Sequence, residues 1–157
     1  MAGRRQKLKS ASRREALDQS ALRQLAGYNI RRADVHMHQH FARTLAKLRV
    51  RPAEYSVMLL VDSNPLATQA DLAAALSIQR PNLVGLILRL ERRGLLRRER
   101  YEHDRRNHML SLATKGKSML RKVNGLVREM DRRVTRCWSE RERAQVNRLL
   151  LRLYAGQ

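Results

Sequence analysis

Between positions 68 and 96 the apolar residues fall twice into helical spacing, with a gap of a few residues between the two runs. Leu72 and Leu76 stand at i, i+4 in the first run. Leu83, Ile87 and Leu90, with Leu86 beside them, line one side of the second, as in two short amphipathic helices. Thr68 followed three positions later by Asp71 predicts a capping-box start. Ser77, Ile78 and Gln79 fill the turn. Pro81 suits the first turn of the second helix, where no amide hydrogen is needed, and Gly94 stands where a C′ glycine would end it. Beyond Leu95 and Leu96 the period changes to two. A first strand turns charged at Arg97, Arg98 and Arg100, and Met109 to Thr114 alternates, with Leu110 and Leu112 pointing inward. Tyr101 to Asn107 is expected to form the hairpin tip, carrying Asp104, Arg105 and Arg106.

The flanking segments read as helices. Asp18 to Leu48 is one long helical pattern with Leu22, Leu25, Tyr28, Ala33 and Phe41 among its apolar members and room for a bend. Pro52 opens the next helix, with Tyr55, Leu59 and Leu60 expected in its core; Asp62 to Pro65 is a turn cluster. Thr114 to about Arg136 forms a long helix, and Ser139 with Glu142 caps a last helix reaching Tyr154. The first helix and the last two are too long and too amphipathic to complete their burial in one small lobe, so a helical platform between two subunits is expected. The fold class is therefore mainly α with a small β-hairpin wing: a winged helix-turn-helix on a helical dimerisation platform. In domain terms, residues 1–14 form a basic arm and 15–157 one winged-helix subunit. Within it 51–114 make the DNA-binding lobe, and 15–50 and 115–157 the dimerisation helices.

Composition sharpens this. The chain of 157 residues carries 34 Lys+Arg against 14 Asp+Glu, a formal charge of +20, which points to a polyanionic partner. Only 4% of residues are aromatic, so the core must be built mainly from Leu, Ala, Val and Met. The single Cys137 excludes an internal disulfide and suits a reducing compartment; a structural thiol is the expectation there. No apolar stretch approaches a membrane span and no secretory h-region is evident. A cytoplasmic location with no membrane partner is expected.

A helix-turn-helix followed by a basic hairpin is a shaped reader for duplex DNA. On the second helix Asn82, Gly85, Arg89 and Arg92 fall at i, i+3, i+7, i+10 and are expected to face the major groove. Asn82 is the expected base reader, helped by Gln79 and Arg80, with Thr68 and Gln69 at the start of the first helix. Arg105 or Arg106 on the wing suits the negative potential of a minor groove. Two other functions fit parts of the chain. A non-specific nucleic-acid-binding architectural protein would use the charge alone. A metal-dependent enzyme would use the His36–His40 cluster, whose i, i+4 pair has zinc-ligand spacing. No second ligand cluster, Ser-His-Asp pattern or glycine-rich phosphate loop accompanies it, so the protein is not expected to be an enzyme or to carry a cofactor.

The TQADLAAAL helix, the RLERRGLLRR segment, the HDRR wing and the LSLATKG strand-to-helix exit resemble the multiple-antibiotic-resistance regulator (MarR) family of winged-helix transcription factors. The resemblance runs from about Leu25 to Tyr154. It implies an obligate homodimer with interlocked helical ends that reads an inverted-repeat operator, and in many members a repressor released by a small aromatic acid or its coenzyme A thioester. The family's common turn glycine is replaced by Ser77, early Ser and Thr residues of the recognition helix by Pro81 and Asn82, and a frequent polar or basic residue by Gly85. Family effectors lie in a cleft between lobe and platform. Here that resemblance points to Tyr28, Phe41 and Tyr55 for ring packing and to Arg31, Arg32, His36 and His40 for an anionic or phenolic head. Some relatives use a redox-sensing cysteine.

Overall fold

A computed structural model describes residues 17–155 except 66, 102 and 103, with side chains of 99–108 also outside the description. The expected basic arm, 1–14, lies outside the described residues, as do the side chains of Asp104, Arg105 and Arg106. The chain divides into two compact units, Met1–Val35 and His36–Gln157.

The first unit holds α1 (Ser20–Arg23) and the start of α2 (Ala26–Leu45). Asp18 begins it by accepting from the Ser20 amide at 2.9 Å and the Ser20 hydroxyl at 3.2 Å. The expected single helix from Asp18 to Leu48 is instead broken between α1 and α2. Asn29 caps the break by donating from Nδ2 to the Arg23 carbonyl at 2.8 Å, occupying an acceptor that a continuous helix would use internally. Tyr28 donates to Gln19 Oε1 at 2.7 Å. Leu17, Leu22, Leu25 and Ile30 are all exposed.

In the second unit α2 ends in a 3-10 turn, Ala46–Leu48, and the chain turns through Arg49 in the left-handed region (φ 50°). Then follow α3 (Pro52–Ser63), α4 (Gln69–Ala75), α5 (Arg80–Arg92), strands β1 (Leu96–Tyr101) and β2 (Asp104–Leu112), α6 (Thr114–Val134) and α7 (Glu140–Ala155). Pro52 opens α3 as expected, but the buried stripe of that helix is Glu54, Val57, Met58 and Val61. Leu59, expected in the core, is 36% exposed. Spacing alone admits either register of this apolar run; packing against α5 and α6 selects the stripe with a charged residue at its head.

Helix α4 is too short to bury a stripe of its own and contributes to a shared core. Its Leu72 and Ala73 join Val57, Met58 and Val61 of α3 and Leu83, Leu86, Ile87 and Leu90 of α5. Leu95 and Leu96 before and in β1, Leu110 and Leu112 of β2, and Leu120 of α6 close that core. A second cluster joins Phe41 and Leu45 of α2 to Val50 and to Val123 and Met130 of α6.

Both helix-to-next-element turns in the reader end the same way. After α5, Gly94 sits at φ 66° and its amide bonds to Glu91 O at 2.8 Å, while Leu95 N bonds to Leu90 O at 2.9 Å. After α4, Ser77 takes φ 51°, its amide bonds to Ala74 O at 3.1 Å, and Ile78 N bonds to Ala73 O at 3.0 Å. These are paired Schellman motifs, one on glycine and one on serine.

The strands pair antiparallel, Leu96 with Leu112 through Arg100 with His108, then shift so that Tyr101 pairs with Asp104. The expected seven-residue tip from Tyr101 to Asn107 is thus shorter: Asp104 to Asn107 belong to β2, and the register shift takes up the extra residues in the strand. Gly116 sits where the first turn of α6 meets the α5–β1 junction; a Cβ there would collide with the Leu95 carbonyl.

Candidate nucleic-acid interface and adjoining cleft

The reader is positioned by a cap, a turn and a buried stripe. At the start of α4, Asp71 Oδ2 accepts from Thr68 N at 2.8 Å and from Thr68 Oγ1 at 2.7 Å, and Asp71 N donates to Thr68 Oγ1 at 3.2 Å. These bonds hold the Asp71 carboxyl below its ordinary range, the backbone bond first and the hydroxyl second. Thr68 is therefore committed to the cap, and Gln69 beside it is half-buried. The Ser77 turn then delivers Gln79, Arg80 and Asn82 at the start of α5, all exposed and, among the described residues, without side-chain hydrogen bonds.

Burial of Leu83, Leu86, Ile87 and Leu90 fixes which side of α5 faces outward. At about 100° per residue, the outward ridge is Pro81, Gly85, Leu88 and Arg92, with Val84 on one side of it and Arg89 on the other. Asn82 stands on its flank. Arg89, expected on the same face, has a side chain that is 42% exposed, and its Nε donates to Glu54 Oε1 at 3.3 Å. Arg98 of β1 likewise turns onto the end of α5, its Nε donating to Glu91 Oε1 at 2.8 Å.

Glu54 is the residue that periodicity did not single out. It is 3% exposed. Its Oε2 accepts from the Arg51 amide at 3.0 Å and from Arg93 Nη1 at 3.5 Å. Arg93 also donates to the carbonyls of Arg49 at 2.7 Å and Leu48 at 3.1 Å, satisfying acceptors at the end of the 3-10 turn. The recognition helix is thus tied to the α2–α3 junction by two arginines and one buried acid. The available signal was an acid at the third position of a Pro-started helix, in a chain with few acids.

The same residues border a cleft of about 810 Å³. Arg49, Arg51, Arg89 and Arg93 ring it, His38 and Glu54 contribute further polar groups, and Ala42, Leu45, Val50 and Leu86 supply apolar wall. It lies wholly within the second unit. Of the residues expected at an effector site, Tyr28, Arg31 and Arg32 belong to the first unit, where Arg31 pairs with Asp34 at 2.8 Å. His36, His40, Phe41 and Tyr55 belong to the second but are not among the residues bordering the cleft. Phe41 and Tyr55 pack on each other with centroids 5.9 Å apart, and Phe41 is a core residue; their ring contacts are spent inside the protein. Burial raises the Tyr55 phenol above its usual range, opposed by Arg128. The His36 and His40 rings meet edge-on at 4.7 Å. His40 is held below the usual histidine value by burial first, then by His36, Arg43 and Arg133. Among the described residues no group of three or more His, Cys, Asp or Glu could hold a metal ion. Cys137 is exposed. No helix among the described residues is long and apolar enough to cross a membrane.

Two helices at a tight turn, the second with an outward ridge, followed by a two-stranded wing, define a winged helix-turn-helix transcription regulator. The chain belongs to the MarR family. Residues 50–107 match that family. A protein of Thauera aromatica, named as a candidate transcriptional regulatory protein for the hcr operon, is 30% identical over 129 residues, spanning 82% of this chain and 78% of that protein. Among solved structures, the transcriptional repressor CouR bound to a 23-mer DNA duplex is 34% identical with a TM-score of 0.84, covering 88% of this chain and 98% of that one. CouR bound to p-coumaroyl-CoA is 32% identical with a TM-score of 0.79, covering 88% of this chain and 97% of that one. MarR of E. coli in its apo form shares the fold, at 21% identity and a TM-score of 0.70 over 83% of this chain and 97% of that one. These relatives are regulators, not enzymes.

Proposed function

We propose that this regulator is a homodimeric repressor that binds an inverted-repeat operator and is released by an aromatic acid or, preferentially, an aromatic acyl-CoA. The observation that carries the reading is the cleft ringed by Arg49, Arg51, Arg89 and Arg93, two of which sit on the recognition helix or its C-cap. Arginine forks suit the phosphates of a CoA, the apolar wall suits an aromatic acyl group, and CouR, which is similar over most of its length, is known bound to DNA and to p-coumaroyl-CoA. An anionic ligand there would compete with Glu54 for Arg89 and Arg93. Release then requires that it bind the DNA-incompetent arrangement more tightly. The effector site is accordingly centred on the cleft rather than on Tyr28 to Phe41.

Dimerisation is supported by α7, which buries none of its residues and exposes Leu149, Leu150, Leu151, Leu153 and Tyr154. In this reading residues 51–114 form the DNA-binding lobe and the terminal helices bind the second copy. Half-site centres lie about one helical turn, roughly 34–36 Å, apart. Gln79, Arg80 and Asn82 approach the groove, with Arg105 and Arg106 on the wing, and the protein acts in the cytoplasm, where its DNA is. The test is fluorescence anisotropy on the duplex upstream of the protein's own gene, with p-coumaroyl-CoA, p-coumarate and CoA added separately. Specific binding relieved by the thioester is expected. Equal affinity for unrelated duplexes would return the reading to binding by charge alone; tight specific binding unmoved by all three would reject the effector class.

A further inference from the structure

We propose that α5 reads operator thymines through their 5-methyl groups, using Val84 and Leu88. This rests on the DNA-binding reading above and specifies its chemistry. Four apolar side chains of α5 are buried at 7% exposure or less, whereas Val84 and Leu88 are 39% and 37% exposed, Leu88 on the outward ridge with Pro81 and Val84 at its side. In a helix-turn-helix the second helix lies in the major groove with its N-terminal part toward the base edges, and Val84 and Leu88 stand on the exposed side of that helix.

Arg92 keeps a charge at the C-terminal end of the ridge, while the other charged side chains of this part of α5 are engaged in ion pairs. Arg89 and Arg93 bind Glu54, and Glu91 binds Arg98. Val84 and Leu88 stay outward at mid-helix, beside an Arg89 that is 42% exposed and paired with Glu54. Gly85, between Val84 and Leu88, adds no side chain; a Cβ there would meet only Arg89 Nη1, at 3.8 Å, so the bare backbone leaves the ridge room to approach closely.

The occupant follows from chemistry. The thymine methyl is the apolar group that the major groove displays, and apolar side chains discriminate it from the other bases. An apolar ridge in a chain of formal charge +20 is drawn to DNA by its surroundings, and at the DNA it matches this group. Asn82, on the flank near the helix start, has the amide geometry for adenine N6 and N7, so both kinds of contact favour A·T pairs.

The test uses the full-length protein. Half-sites are first selected from a randomised duplex pool, and each thymine of the selected operator is then replaced in turn by uracil, which lacks the methyl. Anisotropy should show thymine at one or two positions per half-site whose replacement weakens binding about fourfold each, the value of roughly one buried methyl-sized group. Val84→Ala and Leu88→Ala, both at exposed positions, should bind the thymine operator more weakly, and each should lose the uracil penalty at its own position. A well-defined operator bound equally tightly with uracil, or both variants retaining the whole penalty, overturns this proposal while leaving specific DNA binding intact. A pool that yields no preferred sequence overturns both.

Discussion

Helices α5 and α7 are both amphipathic and both rich in leucine, yet they meet opposite fates. α5 buries Leu83, Leu86, Ile87 and Leu90; α7 buries nothing, and Leu149, Leu151 and Leu153 are each at least half exposed. The winged lobe completes its core within one chain. The C-terminal helix presents an apolar stripe whose burial must come from outside it, and fully covering each leucine is worth about 1.5–3 kcal/mol. Amphipathicity therefore marks a helix that needs a partner surface, without saying whether that surface is in the same chain.

The largest effect that separates the two helices comes from truncating their apolar residues. Ile87→Ala, at a fully buried position, should destabilise the fold by about 2–5 kcal/mol in urea melts. Leu153→Asp on α7 should leave the lobe's near-ultraviolet signal intact while shifting sedimentation toward monomer. If Leu153→Asp unfolds the lobe instead, the two helices are not energetically separate.

Next comes the tie between α5 and its surroundings. Glu54→Ala leaves Arg89 and Arg93 without their carboxylate and the Arg51 amide without its acceptor. Because these arginine side chains are 42% and 30% exposed, water can recover part of the loss, and about 1–3 kcal/mol is expected in the same melts. A loss below the error of the melt would show that packing alone holds α5. Gly116→Ala should cost a similar 1–3 kcal/mol, about what overpacking costs, since the backbone of Leu95 must move to admit the methyl.

The paired turns sharpen the comparison within the lobe. Ser77 and Gly94 share the left-handed conformation, which costs an L-residue roughly 1–2 kcal/mol and glycine little. Ser77→Gly should stabilise by about 0.5–1 kcal/mol after the larger unfolded-state entropy of glycine is set against it, and Gly94→Ala should destabilise by about 1 kcal/mol. Ser77→Gly leaving Tm unchanged or lower would mean that the serine is not strained.

What the sequence made legible was whatever local pattern decides. The capping boxes at Thr68 and Ser139, the stripe of α5, Pro52 and the Gly94 stop are set by neighbours within four residues. The same holds for the turn at Ser77, which the resemblance marks as a family glycine replaced by serine. What it hid depended on long-range packing. The α3 register, with Leu59 outward and Glu54 inward, is chosen by α5 and α6. Arg89 is paired with an acid 35 positions earlier that only the fold brings beside it. The resemblance pointed to a cleft, but its arginine ring was hidden for the same reason: Arg49, Arg89 and Arg93 share no motif. The break at Gln24 and the start of β2 at Asp104 are boundary details that spacing does not resolve.

The smallest effect concerns how two helices begin. α4 and α7 start with the same reciprocal box: Thr68 with Asp71, and Ser139 with Glu142, where Glu142 Oε2 accepts from Ser139 N at 2.8 Å and Oγ at 2.7 Å. Both carboxyls are held below their ordinary values of 3.8 and 4.5 by these bonds. A depressed folded value means that the cap's contribution is fully present above the unfolded value and is lost as pH falls through the folded one. For Glu142 the loss therefore begins below about 4.5, and for Asp71 below about 3.8. The start of α4 is backed by the buried Leu72, whereas the start of α7 has no buried residue behind it. Acidification should therefore fray α7 before α4. Amide exchange followed by NMR should show protection falling first at residues 142–146 and later at 71–75, and Glu142→Gln, which cannot ionise, should flatten the acid dependence of α7 alone. Simultaneous loss at both helices would mean that global unfolding, not the caps, sets the acid limit.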